Sequence, residues 1–355
     1  MNRRNTTIDV AKGIGIILVV AGHNWSVLHP KGEVFRIIFS FHLPLFFFLS
    51  GIFLKQDSPL KAFLAARVDL LLRPYFIVLT TLGVIQLLWA ILHNKLATQQ
   101  VYYFWGMLYS TGETISWAPF WFLTNLFISS IFALIVIKIV KHKHWIGAIS
   151  IILLIFGVHY INIFWDLNYV RGSMVSISAI LSQLSGRASQ VPGLPWSLDL
   201  LPITAALMLW GYLLGNLVKN MSFNVIGFGV SLMLFSSLHY YFDETIDLNN
   251  RIYGAMTISV MQMATGIYLT ISCAALLQRY SVIRRPLVYL GSGTLFILMF
   301  HDTTQTNSYE LLAKISDFPA INAAISFGLG IGLPIILWET VKRLKFCARL
   351  LFPAK

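Results

Sequence analysis

The chain has 355 residues, of which 57% are hydrophobic and only 11% charged, with a mean hydropathy of +0.73 and a formal net charge of +12 at pH 7. A soluble domain carries about a quarter charged residues, so this composition excludes a soluble globular enzyme. The basic residues sit in short clusters between apolar runs, which is the pattern of membrane topology and not of a nucleic-acid surface.

Apolar windows of about 20 residues, the length that crosses a bilayer, recur along the whole chain. They predict helices over 8–28, 34–54, 72–93, 119–140, 145–163, 200–218, 223–242, 252–277, 287–305 and 319–341. The expected fold class is therefore all-α, a polytopic membrane protein of about ten transmembrane helices, with 1–355 forming a single integral membrane domain and no appended soluble domain. With the N-terminus inside, 19 of the 26 Lys and Arg residues fall on the cytoplasmic side. Acidic residues lean outward, 10 of 14, including Asp243, Glu244 and Asp247 in one loop. Both termini are then expected in the cytoplasm, with long external segments near 94–118 and 164–199.

Several common chemistries lack their motifs. Basic residues precede the first apolar run as in a signal peptide, but no A-x-A-like cleavage site follows, so the run is read as a helix. Cys273 and Cys347 imply neither a disulfide nor a metal cluster. There is no Walker loop, no GxGxxG after a strand, no HExxH and no GxSxG, and no internal repeat.

The first helix reads DVAKGIGIILVVAGH over 9–23. Lys12 and His23 are eleven residues apart, which at about 100° per residue places them on one face, about 16 Å apart along the axis. Lys12 lies toward the cytoplasmic surface and His23 in the outer half of the membrane. A snorkelling anchor explains Lys12 as well as a functional role does. An ionisable residue at the depth of His23 is a functional candidate by default, weighed against a hydrogen-bonded packing role. Gly13, Gly15 and Gly22 allow a neighbouring helix or a ligand close to the backbone.

The second helix opens FSFHLPLFFFLSG (39–51), which brings His42 near the level of His23. Pro44, near its start, lacks a backbone donor that would be unpaired there anyway. The ninth helix ends LGSGTLFILMFHD (290–302), placing His301 and Asp302 at the outer side. The pair suggests a base and its orienting carboxylate, yet adjacent side chains on a helix diverge by about 100°, which counts against Asp302. His29, His93, His159 and His239 also fall on the outer side, the last three near helix ends, and His142 and His144 in a basic cytoplasmic loop.

The motifs DVAKGIGIILVVAGH, FHLPLFFFLSG, LLRPY (71–75), APFWFLTNLF (118–127), LPWSLDLLPITAALMLWGYLLG (194–215) and LGSGTLFILMFHD occur in order. Together they resemble the membrane-bound acyltransferase-3 family, nearest its fucose 4-O-acetylase-like branch, over nearly the whole chain. The resemblance implies O-acetylation of carbohydrate, with acetyl-CoA as cytoplasmic co-substrate and no permanently bound cofactor or metal. It implies a cell-surface glycan, precursor or glycolipid as acceptor, and a bacterial plasma (inner) membrane as location. The family often carries an arginine, ten residues and a histidine on its first helix, and here the pair is Lys12 and His23. Lysine lacks the bidentate fork that arginine offers a phosphate. Arg67 and Arg73 match basic residues before the third helix, with a different spacing from the R-x-x-R of some members. The WFLP of the branch is Trp121-Phe122-Leu123-Thr124 in this chain.

On that resemblance, His23 is expected as general base, or as a transiently acetylated carrier, with His42 or His301 orienting it or binding sugar. Lys12, Arg67 and Arg73 are expected to hold the CoA phosphates by charge-assisted hydrogen bonds, and an extended pantetheine arm would bridge the distance to His23. Trp121 and Asn125 are expected to contact the acceptor. Positive-inside topology alone would also explain the arginines, and an aromatic belt would explain Trp121. A transporter of a glycan or small solute is the alternative in another class, although paired broken helices and related halves are not evident. An acyltransferase with a non-carbohydrate acceptor is a further one.

Overall fold

The first helix starts where the sequence supplies a cap, for the Asn5 side chain accepts a hydrogen bond from the Ile8 amide at 3.1 Å. In the computed structural model the described residues are 5–24, 32–93, 98–170 and 193–352, without the side chains of 98–102 and 162–170. The helices are α1 Thr6–Gly22, α2 Glu33–Phe39, α3 His42–Gly51, α4 Leu60–Arg67, α5 Arg73–Leu92, α6 Thr98–Tyr109, α7 Trp121–Val140 and α8 Lys143–Val170. They continue as α9 Leu201–Lys219, α10 Val225–Tyr241, α11 Met256–Leu277, α12 Ser281–Ser292, α13 Thr294–Ala313, α14 Pro319–Arg343 and α15 Lys345–Leu351. A π-helical turn, Val68–Leu72, joins α4 to α5, and two-residue strands Ile246–Asp247 and Ile252–Tyr253 pair with each other.

The chain is an all-α polytopic membrane protein. Among the described residues seven helical stretches are long and apolar enough to cross a bilayer: Glu33–Gly51, Leu60–Leu92, Ala118–Val140, Lys143–Ile161, Pro195–Lys219, Met256–Leu277 and Pro319–Arg343. An eighth is the pair α12 and α13, which meet at Gly293 with a bend of 80°. Each of the ten expected spans falls on helix. Two of them, α1 and α10, have 17 residues each, about 26 Å of helix against a hydrocarbon core of about 30 Å. The end of the first expected span, 25–28, lies outside the described residues. The expected span 34–54 is two helices, because the chain leaves helical geometry at Phe41 (φ −150°). Pro44 is then the third residue of α3, among the four whose amides have no intrahelical partner. Ile139, Leu217, Ile226 and Met233 face outward, an arrangement that costs nothing against lipid tails.

Two compact units can be distinguished. The first gathers the described residues of Met1–Phe53, Leu207–Leu248 and Tyr253–Thr340, and the second those of Leu54–Ala206, Asn249–Ile252 and Val341–Lys355. In the first unit α1 is central and packs on α2, α3, α11, α12 and α13. One neighbour, α12, touches it backbone to backbone at two points: a Cβ on Gly13 would lie 2.2 Å from the Leu287 carbonyl oxygen, and one on Gly291 would lie 2.3 Å from that of Asp9. These glycines let α12 seat directly on the N-terminal half of α1. In the second unit α7 packs on the π-helical turn, on α8 and on the 3₁₀ turn Pro195–Leu200, while α5 packs on α6 and α15.

Candidate active site

His23 is the C-cap residue of α1, where the helix ends and a side chain is freed from the helical register. Its Nδ1 lies 3.6 Å from Oδ1 of Asp302 on α13, an electrostatic pair slightly beyond hydrogen-bond length, with both side chains about one-third exposed (31% and 32%). The His301 ring stands edge-on to His23, with centroids 5.0 Å apart, and the Phe39 ring lies 6.1 Å away on another side. Phe39 in turn packs edge-on against His42 at 4.5 Å. The three histidines expected to act together are thus gathered in the first unit, around the end of α1.

They differ in their chemistry. His42 and His301 are buried, and each points Nδ1 at a backbone carbonyl: Ile38 at 2.8 Å, and Ile297 and Leu298 at 2.9 Å. A carbonyl only accepts, so Nδ1 carries the hydrogen in both rings and the neutral imidazole presents a lone pair at Nε2. The His301 Nε2 is buried without a hydrogen-bond partner among the described residues. His23 alone of the three is part-exposed and faces a carboxylate.

Asp302, whose adjacency to His301 counts against pairing with that ring, faces His23 instead. The divergence of adjacent side chains keeps Asp302 from orienting His301, and the same divergence lets the two approach His23 from different directions. His239, read as a residue at a helix end, is also buried. Its Nε2 lies 3.0 Å from Ser40 Oγ, between the site residues Phe39 and His42 in sequence, and its Nδ1 lies 2.8 Å from the Phe235 carbonyl. Nearby, Arg36 on α2 pairs with Glu33 and with Asp243. A signal for Asp302 was present in its position beside His301 at the end of an apolar run, while nothing local marks His239.

Lys12 lies in the same unit, half-buried on α1, with Nζ 4.8 Å from the centre of the Phe53 ring. Arg67 and Arg73 belong to the second unit. The Arg67 guanidinium lies 5.0 Å from the Phe63 ring centre, one helical turn back. Arg73 pairs with Asp69, so its charge is already partly compensated.

Trp121 and Asn125 start α7 in the second unit, and both are buried. The Asn125 amide donates to the Ser197 carbonyl at 2.9 Å, and its oxygen accepts from Ser129 Oγ at 3.4 Å. Ser197 and its neighbour Trp196 have left-handed backbone (φ 54° and 59°), a conformation costing non-glycine residues of order 1 kcal/mol or more. The turn is braced by a buried ion pair that the sequence reading missed. The Arg251 guanidinium bonds both carboxylate oxygens of Asp199, at 2.9 and 3.2 Å, with neither side chain exposed. Tyr109 closes the same turn by donating to the Gly193 carbonyl at 2.8 Å. Burial, with the Asp199 carboxylate adding to it, pushes the Tyr109 phenol up to about 12.

No group of three or more metal-ligating side chains occurs among the described residues. A family profile described as an acyltransferase domain matches residues 5–339, and so covers the site and both units. No curated protein and no solved structure matches the chain.

Proposed function

The chain belongs to the acyltransferase-3 family of membrane acyltransferases, and on that premise we propose that it moves an acetyl group from acetyl-CoA to a carbohydrate hydroxyl, with His23 as general base. The observation that carries the reading is the His23–Asp302 pair: of the three clustered histidines, the part-exposed one faces a carboxylate. Asp302 favours the tautomer with hydrogen on Nδ1 and leaves Nε2 to take a proton. The acceptor oxygen then attacks the thioester carbonyl and the carbon–sulfur bond breaks. The proton taken by His23 passes to the leaving CoA thiolate, so no metal or redox partner is needed. Charge that develops on the imidazole is offset by Asp302 and by the carbonyl end of α1. His42 and His301 offer buried lone pairs and serve as hydrogen-bond acceptors beside the base.

Lys12 is the donor-phosphate candidate on the same helix, and Arg67 and Arg73 join it on the strength of charge alone. Trp121 and Asn125 are assigned to the acceptor through the turn at Trp196–Ser197 that Asn125 holds. The proposed location is a bacterial inner membrane with both termini cytoplasmic, in keeping with the basic loops.

Membranes containing the protein, supplied with radiolabelled acetyl-CoA, should transfer label to the glycan fraction. His23→Gln should lower the rate by about 10²–10⁴-fold, the usual contribution of a positioned base, at unchanged protein level. Wild-type transfer by that variant would remove His23 from the chemistry.

A further inference from the structure

Two neutral amides bracket the His23 end of α1. Asn24 and Gln305 are 4% and 2% exposed, deep for polar side chains in an apolar unit. An amide buried without partners costs about 1–3 kcal/mol by protein mutational data, and these two use their groups on each other and on three helices. Asn24 Nδ2 donates to Gln305 Oε1 at 3.1 Å and to the Ala323 carbonyl of α14 at 2.9 Å. Gln305 Nε2 donates to the Val20 carbonyl at 3.1 Å. Val20 lies in the last turn of α1, where carbonyls lack intrahelical partners, because the Asn24 amide turns to Ala21 instead.

Gln305 therefore holds the chain on both sides of His23, at Val20 in the last turn of α1 and at Asn24 just beyond it. It also follows Asp302 by three residues on α13, the spacing that puts two side chains on one helix face. The third wall is Gly330 of α14, where a Cβ would lie 2.4 Å from Gln305 Cγ and 3.4 Å from Val20 Cγ1. One glutamine thus ties the backbone beside the base to the helix that carries its carboxylate.

We propose that Asn24 and Gln305 are positioning residues that set the His23–Asp302 separation and act on catalysis only through that pair. The proposal rests on His23 as base. Neutral amides suit the task, since a charge at this depth would compete with Asp302 for the imidazole.

The test uses the full-length protein in membranes, with radiolabelled acetyl-CoA and the glycan fraction as probes. Gln305→Met removes both hydrogen bonds at similar volume. It should lower kcat about ten- to a hundredfold, the scale of a 1 Å misplacement, and leave KM for acetyl-CoA unchanged. Asn24→Leu should lose a similar factor, and the double variant no more than the larger single loss, because the two act as one unit. In a His23→Gln background, Gln305→Met should leave the residual rate unchanged, whereas a protein that merely folds poorly loses the same factor in both backgrounds. If Gln305→Met does not accumulate, Gly330→Ala, whose Cβ would press on Gln305 Cγ, should give the same loss of kcat with the same background dependence. Wild-type kcat in these variants, or equal losses in both backgrounds, overturns the clamp while leaving His23 as base. A fully active His23→Gln instead overturns the reading beneath it.

Discussion

His23 Nδ1 and Asp302 Oδ1 approach to 3.6 Å although α1 and α13 lie at opposite ends of the sequence. The contact joins the C-terminal cap of one helix to the middle of another, with His301 and Phe39 flanking the imidazole. On the proposed reading, this carboxylate orients His23 as the base. Asp302→Asn should keep the side-chain shape and lose the carboxylate charge. We expect kcat to fall about ten- to a thousandfold with KM for the donor unchanged, since an orienting carboxylate acts mainly on the transition state. Steady-state transfer assays on membranes matched for protein level check this, and an Asp302→Asn enzyme at wild-type kcat would detach the carboxylate from the mechanism.

The donor assignment separates Lys12 from the two arginines. Lys12→Gln should raise KM for acetyl-CoA several-fold and leave the KM for dephospho-CoA donors less affected, as expected for a lost contact to a phosphate. Arg67→Gln should do the same. Arg73→Gln should have the smaller effect, because Asp69 already shares its charge. Three unchanged acetyl-CoA affinities would leave these residues with topology alone.

The Asp199–Arg251 pair is fully buried and braces a turn with two left-handed residues. Removing one partner strands the other charge. Arg251→Met should therefore destabilise the protein by about 3–5 kcal/mol, whereas the double change Arg251→Met with Asp199→Leu should recover much of the loss. Thermal unfolding in detergent reads both, and a harmless Arg251→Met would mean that the pair is not what holds the turn.

Alkaline pH should loosen the same region. Tyr103 and Tyr109 donate to the carbonyls of Leu79 and Gly193 at 2.8 Å, and burial pushes each phenol up to about 12. An unfolded tyrosine ionises near 10, so the folded state holds these protons more tightly. Stability from this source is complete below about pH 10 and is lost as pH rises through about 12. Unfolding midpoints measured from pH 9 upward should fall over that window, and the fall should shrink in a Tyr103→Phe, Tyr109→Phe variant. A midpoint flat to pH 12 would contradict the burial of these groups.

Helix positions were legible because hydropathy and the 3.6-residue repeat are properties of a local stretch, and each expected span has a helix beneath it. His23 stood out for the same kind of reason, an ionisable group deep in an apolar run. The bend at Gly293 and the break at Phe41 were not legible, since Gly and Phe occur throughout these helices and only packing decides where the chain turns.

The sequence by itself determined an all-α membrane protein, its acyltransferase motifs and the histidine to suspect first. Tertiary structure alone decided the company that histidine keeps. Which face α13 turns toward α1 depends on the seat of α12 on Gly13 and on the grip of Gln305 beside His23, contacts between segments far apart in the chain. Periodicity carries no information about such contacts, because the same helix rotated by one residue has the same composition and a different partner.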